Sequence, residues 1–232
     1  MTVSNNTIKK LTLSLVITAF AVHVQASSLY EEAADFIDLI NQEMMMVDTA
    51  YSLNGVTVHD NCQTFMDKNQ VYGELGQYIS RELYTNSHVY SEVIQSSAMA
   101  KSCPKYNQLN LNQKVLIWTL TLATMAHFES SCNPSVSAAG PNGTAHGLYQ
   151  LHKNKEAAYD KDLKICQNGS SGNPKKSSQC VLSMLNNQLK KTGLLFSNKS
   201  YWDVLRPNGS SQKAKLIHQA IAKSTLCKKL SM

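Results

Sequence analysis

The sequence predicts a mainly α-helical protein that is stabilised by disulfide bonds, and three observations support this fold class. Apolar residues recur at three- and four-residue steps through several separate segments, which is the period of a helix with one buried face. No alternating strand of convincing length and no internal repeat is visible. An even number of cysteines, 6, lies beyond the first 26 residues.

The N-terminal segment, 1–26, has the pattern of a secretory signal peptide. Lys9 and Lys10 precede an apolar stretch over 11–22, and the segment ends in a small residue, Ala26. A retained membrane anchor is the weaker alternative, because a spanning helix needs about 20 apolar residues. We therefore expect an exported protein, periplasmic or secreted, whose mature form has no membrane anchor.

The remaining chain, 27–232, is long enough to form one domain with a sizeable core. We divide it into an N-terminal helical part, 27–109, and a core, 110–232, and we expect a monomer. The six cysteines are Cys62, Cys103, Cys132, Cys166, Cys180 and Cys227.

Disulfides are the favoured role of these cysteines, because exported proteins fold under oxidising conditions. A zinc site would require close C-x-x-C pairs with histidines nearby, and none of the six is spaced in that way. Cys166 and Cys180 are the first pair we expect, since their bond would close a loop rich in Gly, Ser and Pro. The other pairings stay open.

Charge is distributed unevenly along the chain, whose formal net charge is +6. Residues 27–151 contain 5 basic and 12 acidic residues, whereas residues 152–232 contain 15 basic and 4 acidic ones. The basic half would suit an anionic polymer, although an ordinary solvated surface explains it equally well. No nucleic-acid-binding motif accompanies the lysines, so nucleic acid is not an expected partner.

The N-terminal part is predicted to contain two helices. Apolar residues from Leu29 to Val47 lie on one helical face, and Asn54-Gly55 is expected to end that helix. An irregular loop over 56–70 and a second helix over 71–97 follow.

The core is predicted to begin with a helix that is buried on every side, because the segment from Asn110 to Phe128 is apolar almost all round. Turn residues over 130–145 and a polar loop over 166–177 follow. The last two helices are expected over 179–191 and 213–226, separated by a loop over 196–211.

Glu129 ends the buried helix and is the candidate catalytic residue. Apolar surroundings disfavour the charged form of a carboxyl group and so raise its pKa. A carboxylic acid that stays protonated near neutral pH can act as a general acid. Judged on these residues alone, a solvated charge at a helix end is the commoner role.

The stretch from Glu129 to Leu151 changes that judgement. Glu129-Ser130, Asn133-Pro134 and the later sequence GLYQL over 147–151 resemble the signature of the soluble lytic transglycosylases and goose-type lysozymes, which is E-S-x-x-N-P followed by G-x-x-G-L-M-Q-[IL]. The resemblance implies a lysozyme-like helical domain. It also implies a muramidase that needs no cofactor and cleaves the β-1,4 bond between N-acetylmuramic acid and N-acetylglucosamine in peptidoglycan glycan strands.

The resemblance also implies substrate-binding roles. Ser130 would help to hold the muramyl sugar, Gly147 would allow the backbone to approach the glycan closely, and Gln150 would contact the substrate through its amide. Tyr149 replaces the usual Met and is expected to make its subsite more polar and to stack on a sugar. Tyr201 is the nearest substitute for the family's acid-contacting tyrosine, with loop packing as the alternative role.

This chain departs from the family pattern in several places. The late A-Y-N-A-G motif is missing, Thr144 stands where a glycine is common, and Cys132 replaces an aromatic residue. The YWDVLRP segment over 201–207 and the cysteine pattern are similar to secreted lysozymes of predatory bacteria. One such group prefers deacetylated peptidoglycan, whose amines the acidic N-terminal half could accommodate.

The distribution of acids bears on the mechanism. No Asp or Glu lies between Glu129 and Glu156, so the loop offers no second carboxylate to activate water. A lytic transglycosylase needs none, because the 6-hydroxyl of the sugar itself attacks. We therefore favour transglycosylation over hydrolysis, with Glu156, Asp160 or Asp203 as acids that folding could still bring near.

Other classes of function remain open. A protein that keeps the fold but only binds or inhibits peptidoglycan turnover would explain the altered motif positions, and a disulfide-stabilised structural protein is a third reading. His127 and His146 flank the motif, but zinc requires three or four ligands, so no metal site is expected. Cysteine-nucleophile catalysis is disfavoured because an exported even set is expected to be oxidised.

Overall fold

A computed structural model of the protein describes residues 50–140 and 142–228, of which about half are helical. The signal peptide and most of the first helix expected from the sequence lie outside the described residues. No helix in the described part is long and apolar enough to cross a membrane. Small sheets accompany the helices, so the mainly α prediction is only roughly confirmed.

The described chain begins with a β-hairpin that the sequence analysis did not predict. Strand β1 is Ala50–Leu53 and strand β2 is Val56–His59, and the two pair antiparallel. Asn54 and Gly55 have φ values of 50° and 78°, as a two-residue turn between twisted strands requires. The prediction that Asn54-Gly55 ends a helix is therefore wrong, because the same dipeptide here closes a hairpin.

Three helices replace the one expected over 71–97: α1 is Glu74–Thr85, α2 is Ser91–Ile94 and α3 is Ser97–Ala100. Side-chain oxygen atoms accept hydrogen bonds from backbone N–H groups at the beginning of the two short helices. The Asn186 side chain accepts hydrogen bonds from the backbone N–H groups of Glu92 and Val93, and Ser96 accepts one from Ala98. Such bonds compete with a continuous helical ladder, which explains the breaks.

Helix α4, Leu111–Ser130, confirms the predicted buried helix. Asn110 and Gln113 form a reciprocal capping box at its start. Most of the helix is buried, including Trp118. The helix ends at Ser131, whose φ of 52° and ψ of 34° lie in the left-handed region.

A three-stranded antiparallel sheet follows α4, where the sequence analysis expected only turns. Its strands are β3, Ser137–Gly140, β4, Gly143–His146, and β5, Leu151–His152, in the order β3-β4-β5. The strands are short and mostly exposed, so no alternation of apolar residues marked them in the sequence.

The last two helices were predicted in kind, with different bounds. Helix α5 is Pro174–Thr192 and begins earlier than expected, because Asn173 caps it and a proline is favoured in the first turn. Gly193 ends it with φ 64°. Helix α6 is Ala214–Ala222, shorter than the expected 213–226. Helix α4 packs against α1 and α6, and α5 packs against α1 and α2.

Three disulfides join these elements: Cys62–Cys132, Cys103–Cys227 and Cys166–Cys180. The last of them is the pair expected from the sequence. Disulfides are typical of proteins that fold in an oxidising compartment. The bond between Cys62 and Cys132 matters most for the site, because Cys132 lies three residues after Glu129 and is fixed to the segment that follows the first hairpin.

Candidate active site

Glu129 lies in the last turn of α4, where its side chain is half-buried. The pKa of its carboxyl is raised from 4.5 to about 7, chiefly by burial and also by the negative charge of Asp203, while the positive charge of Arg206 acts in the opposite direction. A substantial fraction of Glu129 is therefore protonated near neutral pH. This is the property that the apolar helix led us to expect.

Ser130 connects the two sequence motifs. Its hydroxyl donates a hydrogen bond to the Leu148 carbonyl oxygen at 2.9 Å, with the Ala126 carbonyl oxygen at 3.1 Å as the alternative acceptor. The residue is buried. Ser130 thus holds the second motif against the end of α4, and its hydroxyl is occupied by the backbone rather than presented to a sugar.

The backbone around Gly147 leaves no room for a side chain at this position. It has a φ of 75°, and a Cβ atom at this position would lie 2.2 Å from the carbonyl oxygen of Ser171. Only glycine fits so close an approach. The resemblance implied a close approach by the glycan, whereas the structure places the Ser171 carbonyl there.

Gln150 shapes the loop between the motifs. Its backbone has a φ of 47°, and its Nε2 donates hydrogen bonds to the carbonyl oxygens of Gly147 at 2.9 Å and Val136 at 3.2 Å. The amide therefore fixes the turn after Gly147 to the segment before β3. The side chain is only partly buried, and its Oε1 is left for another partner, so contact with substrate stays an expectation.

Tyr149 lies in the core. The side chain is 0% exposed, and its hydroxyl pairs with that of Ser178 on α5 at 3.3 Å. Its ring makes an edge contact with Phe65, and its carbonyl oxygen accepts a hydrogen bond from Trp202 Nε1 at 2.9 Å. The expectation that Tyr149 stacks on a sugar does not fit the structure, because the ring has no exposed surface.

Tyr201 lies near enough to the candidate acid for the charge of Glu129 to act on it, although no hydrogen bond joins the two side chains in the described residues. The Glu129 charge is one of the causes that raise the pKa of Tyr201, after burial. The Tyr201 hydroxyl accepts a hydrogen bond from the His152 backbone at 2.9 Å and donates one to the Gln150 carbonyl oxygen at 3.4 Å. Tyr201 therefore anchors the end of the second motif and borders the Glu129 site.

Two of the three distant acids have structural roles. Glu156 is buried and accepts hydrogen bonds from the backbone of Gly169 and Ser171, each at 3.1 Å, and these bonds hold its pKa below the usual value. Asp160 is also buried and accepts bonds from the backbone of Ile165 and Cys166. Their oxygens organise the loop before α5 and are not directed to chemistry at Glu129.

Asp203 is the acid that folding brings near Glu129. Its carboxylate accepts hydrogen bonds from the backbone of Ser211 at 2.7 Å and of Ser210 at 3.2 Å, which lower its pKa. Arg206 lies 3.9 Å away in an ion pair. Asp203 is thus ionised, and the sequence had named it only as one of three candidates. The three-residue spacing of Asp203 and Arg206 in the sequence indicates an ion pair. No local pattern indicates that this pair lies near Glu129.

The two histidines that flank the motif each contact backbone. His127 Nδ1 accepts a hydrogen bond from the backbone of His59 at 3.2 Å, and burial lowers its pKa. His146 Nδ1 lies 3.3 Å from the Ser171 carbonyl oxygen. Within 50–140 and 142–228, no group of three or more His, Cys, Asp or Glu side chains is arranged to hold a metal ion.

Comparison with known proteins gives one group of similar structures. No protein-family model and no curated protein matches the chain. Three solved structures of the Bdellovibrio protein Bd0314 DslA do: one of the wild type and two of variants in which a glutamate is replaced by glutamine. The wild type is 20% identical to this chain and the two variants are 22% and 21% identical, each with a TM-score of 0.55, and the alignments cover 67% of this chain and 91% of theirs. Over that part of its length, the chain is similar in fold to Bd0314 DslA.

Proposed function

We propose that this protein is a muramidase that cleaves the glycan strands of bacterial peptidoglycan at the bond between N-acetylmuramic acid and N-acetylglucosamine. The observation that carries the proposal is the half-buried Glu129 at the end of α4, whose pKa is raised to about 7. The motif resemblance and the fold shared with Bd0314 DslA support the same proposal. We propose further that the protein has a lysozyme-like domain and is exported.

The raised pKa suits the first chemical step. Protonated Glu129 would donate its proton to the glycosidic oxygen as the bond from that oxygen to the sugar C1 breaks, and this transfer lowers the barrier to the oxocarbenium-like state. Within the described residues, no side chain forms a hydrogen bond with the Glu129 carboxyl, so its proton is available to a substrate.

The second step favours a lytic transglycosylase. The Glu129 carboxylate formed in the first step would take the proton of the muramyl 6-hydroxyl as that oxygen attacks C1. This step gives a 1,6-anhydro product, restores the protonated acid and consumes no water. One carboxyl group then serves as both acid and base, which agrees with the absence of a second acid between Glu129 and Glu156.

Hydrolysis is the second candidate, because the ionised Asp203 lies near enough for its charge to act on Glu129. Asp203 would have to take a proton from the attacking water. Its oxygens accept hydrogen bonds from Ser210 and Ser211, and these bonds lower its pKa and so its basicity. We therefore assign Asp203 an electrostatic role and keep transglycosylation as the proposed reaction.

Digestion of purified peptidoglycan sacculi tests the proposed function. Mass spectrometry of the released muropeptides is expected to find 1,6-anhydro ends, whereas reducing ends with a gain of water would indicate the hydrolase. If the protein binds sacculi and releases no fragments, it is instead a binding or inhibitory protein that keeps the fold. Neither binding nor release would favour a structural role. The same digest of acetylated and deacetylated sacculi tests the preference for deacetylated substrate.

A further inference from the structure

A cavity that Tyr201 lines lies near the candidate acid. It has a volume of about 370 Å³, within the range of small-molecule sites, and Tyr201, Tyr159, Lys191 and Lys199 are among the residues that line it. Tyr201 belongs to both places, because it lines this cavity and its hydroxyl is hydrogen-bonded to the backbone of Gln150 and His152, at the end of the motif that Ser130 holds beside Glu129. A ligand bound here would lie beside the substrate of Glu129.

One side of the cavity is aromatic and held in place. The rings of Tyr159 and Tyr201 make an edge contact with centroids 4.8 Å apart, and the Tyr159 hydroxyl pairs with His152 Nδ1. Tyr159 is nevertheless 36% exposed, one of the few large side chains in the described residues that leave so much surface to solvent. An exposed aromatic ring that its neighbours already fix can pack against a ligand at little entropic cost.

Two lysines also line the cavity. Lys191 lies at the end of α5 and Lys199 in the loop that follows, and both are exposed. Among the described residues, Lys191 pairs with Asp162 at a distance of 3.9 Å. Lys199 forms no ion pair with any residue that the structure describes. Two ammonium groups beside one cavity favour a ligand that carries carboxylates.

We infer that this cavity binds the peptide stem of the muramyl residue, with the stem carboxylates on Lys191 and Lys199 and its backbone against Tyr159. The inference rests on the proposed function, which places the bond to be cleaved at a muramyl residue. That sugar carries its peptide on the ring whose C1 reacts, so the stem is the anionic group nearest to Glu129. An uncharged sugar of the glycan strand is the other possible occupant, and the experiment distinguishes the two.

Calorimetry with small muropeptides tests the assignment. The probes are the disaccharide N-acetylglucosaminyl-N-acetylmuramic acid with a tetrapeptide stem, the same compound with its stem carboxylates amidated, and the disaccharide without peptide. None contains the bond to be cleaved, so the wild-type protein can be used. The intact stem is expected to bind about tenfold more tightly than either other probe.

The variant Lys191→Gln/Lys199→Gln is expected to lose that preference and to bind the three probes alike. Lys190→Gln is the matched control, because Lys190 is a neighbouring exposed lysine that does not line the cavity, and it should retain the wild-type preference. Thermal unfolding checks that both variants are folded. Equal binding of the three probes by the wild type would overturn the inference, as would a preference that survives in the double variant or extends to the amidated stem.

Failure of this inference is separable from failure of the proposed function. If the wild type cleaves sacculi but binds the probes alike, the peptide-stem site is wrong and the muramidase proposal stands. If it cleaves no sacculi but binds the intact stem through the two lysines, the cavity assignment stands and the proposed catalysis is wrong.

Discussion

The hydroxyl group of Ser130 donates a hydrogen bond to the carbonyl oxygen of Leu148 at 2.9 Å. This bond joins the residue after Glu129 to the residue after Gly147, 18 positions along the chain. Two short motifs that are separate in sequence thus form one structural unit at the end of α4. The arrangement around Glu129 depends on this unit and on the Ser171 carbonyl beside Gly147.

Replacing Gly147 with alanine is expected to destabilise the protein by more than about 2 kcal/mol and to reduce activity. The new Cβ would lie 2.2 Å from the Ser171 carbonyl oxygen, and the φ of 75° would be strained. Gly169→Ala is the control, since Gly169 has a φ of 86° and no atom within 4 Å of its added Cβ. The left-handed conformation alone predicts a loss of about 1–2 kcal/mol there. If chemical denaturation shows that both variants lose the same free energy of unfolding, the close contact at Gly147 is contradicted.

The raised pKa of Glu129 predicts how stability depends on pH. Its ordinary pKa is 4.5 and its folded value is about 7, so between these values the folded protein keeps a proton that the unfolded chain has lost. The stability associated with this group is therefore present below pH 4.5 and is lost as pH rises to 7.

Glu129→Gln should remove that dependence. Relative to the variant, the wild type is expected to lose up to about 3 kcal/mol of unfolding free energy between pH 4 and pH 8, because one pKa unit corresponds to about 1.4 kcal/mol. Urea denaturation at a series of pH values measures it. A constant difference between wild type and variant over this range would mean that the pKa of Glu129 is not raised.

Asp203 and Arg206 are expected to shift the pH profile of activity in opposite directions. Asp203 raises the pKa of Glu129 and Arg206 lowers it. Since the general acid must be protonated, kcat/KM should fall above a pH of about 7 in the wild type. The pH at which kcat/KM falls should therefore be lower in Asp203→Asn and higher in Arg206→Gln.

Conservative variants separate charge from structure in this experiment. Arg206→Lys keeps the positive charge, so the pH at which kcat/KM falls should not change. The variant does lose hydrogen bonds that Arg206 donates to the Ser200 and Tyr201 carbonyl oxygens. Asp203→Asn keeps an acceptor for the loop, and its products should still carry 1,6-anhydro ends. If the variant instead loses all cleavage while it remains folded, Asp203 is a base and the electrostatic assignment fails.

The Cys62–Cys132 disulfide is expected to support activity as well as stability. It spans 70 residues, and chain-entropy arguments predict a loss of about 4 kcal/mol when both cysteines become alanine. Activity should fall by more than the loss of folded protein accounts for. The bond fixes Ser131 and Cys132, both with positive φ, two and three residues after Glu129.

The Cys103–Cys227 bond provides the control, because it spans 124 residues and joins neither motif. Its removal should cost a similar amount of stability, about 5 kcal/mol. Activity measured well below both unfolding temperatures should survive in this variant and fall in the other. Equal activity in the two would show that the Cys62–Cys132 bond has no special role at the site.

The sequence predicted those parts of the fold that depend on local patterns. Helix α4 was recognisable because its residues are apolar almost all round. Glu129 became the candidate acid because it ends that helix and because the motifs at Glu129 and Gly147 resemble a known signature. The first hairpin was missed because Asn54-Gly55 can end a helix or close a hairpin, and only the positive φ of both residues distinguishes the two.

Features that depend on contacts between residues far apart in sequence could not be predicted from local sequence patterns. Replacement of the family's methionine by Tyr149 suggested a sugar contact, but Ser178 and Phe65 bury the side chain, and both are remote in sequence. Asp203 likewise reaches Glu129 only through the tertiary fold. The resemblance implied a tyrosine beside the acid, and the charge of Glu129 does affect the pKa of Tyr201, but the hydrogen bonds of Tyr201 to His152 and Gln150 could not be inferred.

Loss of the Glu129 carboxyl tests the central claim most directly. Sacculi are digested with the wild type, Glu129→Gln and the control Glu92→Gln, whose exposed side chain lies outside the site, and soluble muropeptides are quantified. The account predicts at least a hundredfold lower release by Glu129→Gln, since general acids contribute about 10²–10⁴-fold, and wild-type release by Glu92→Gln. Undiminished release by a folded Glu129→Gln protein would contradict the account.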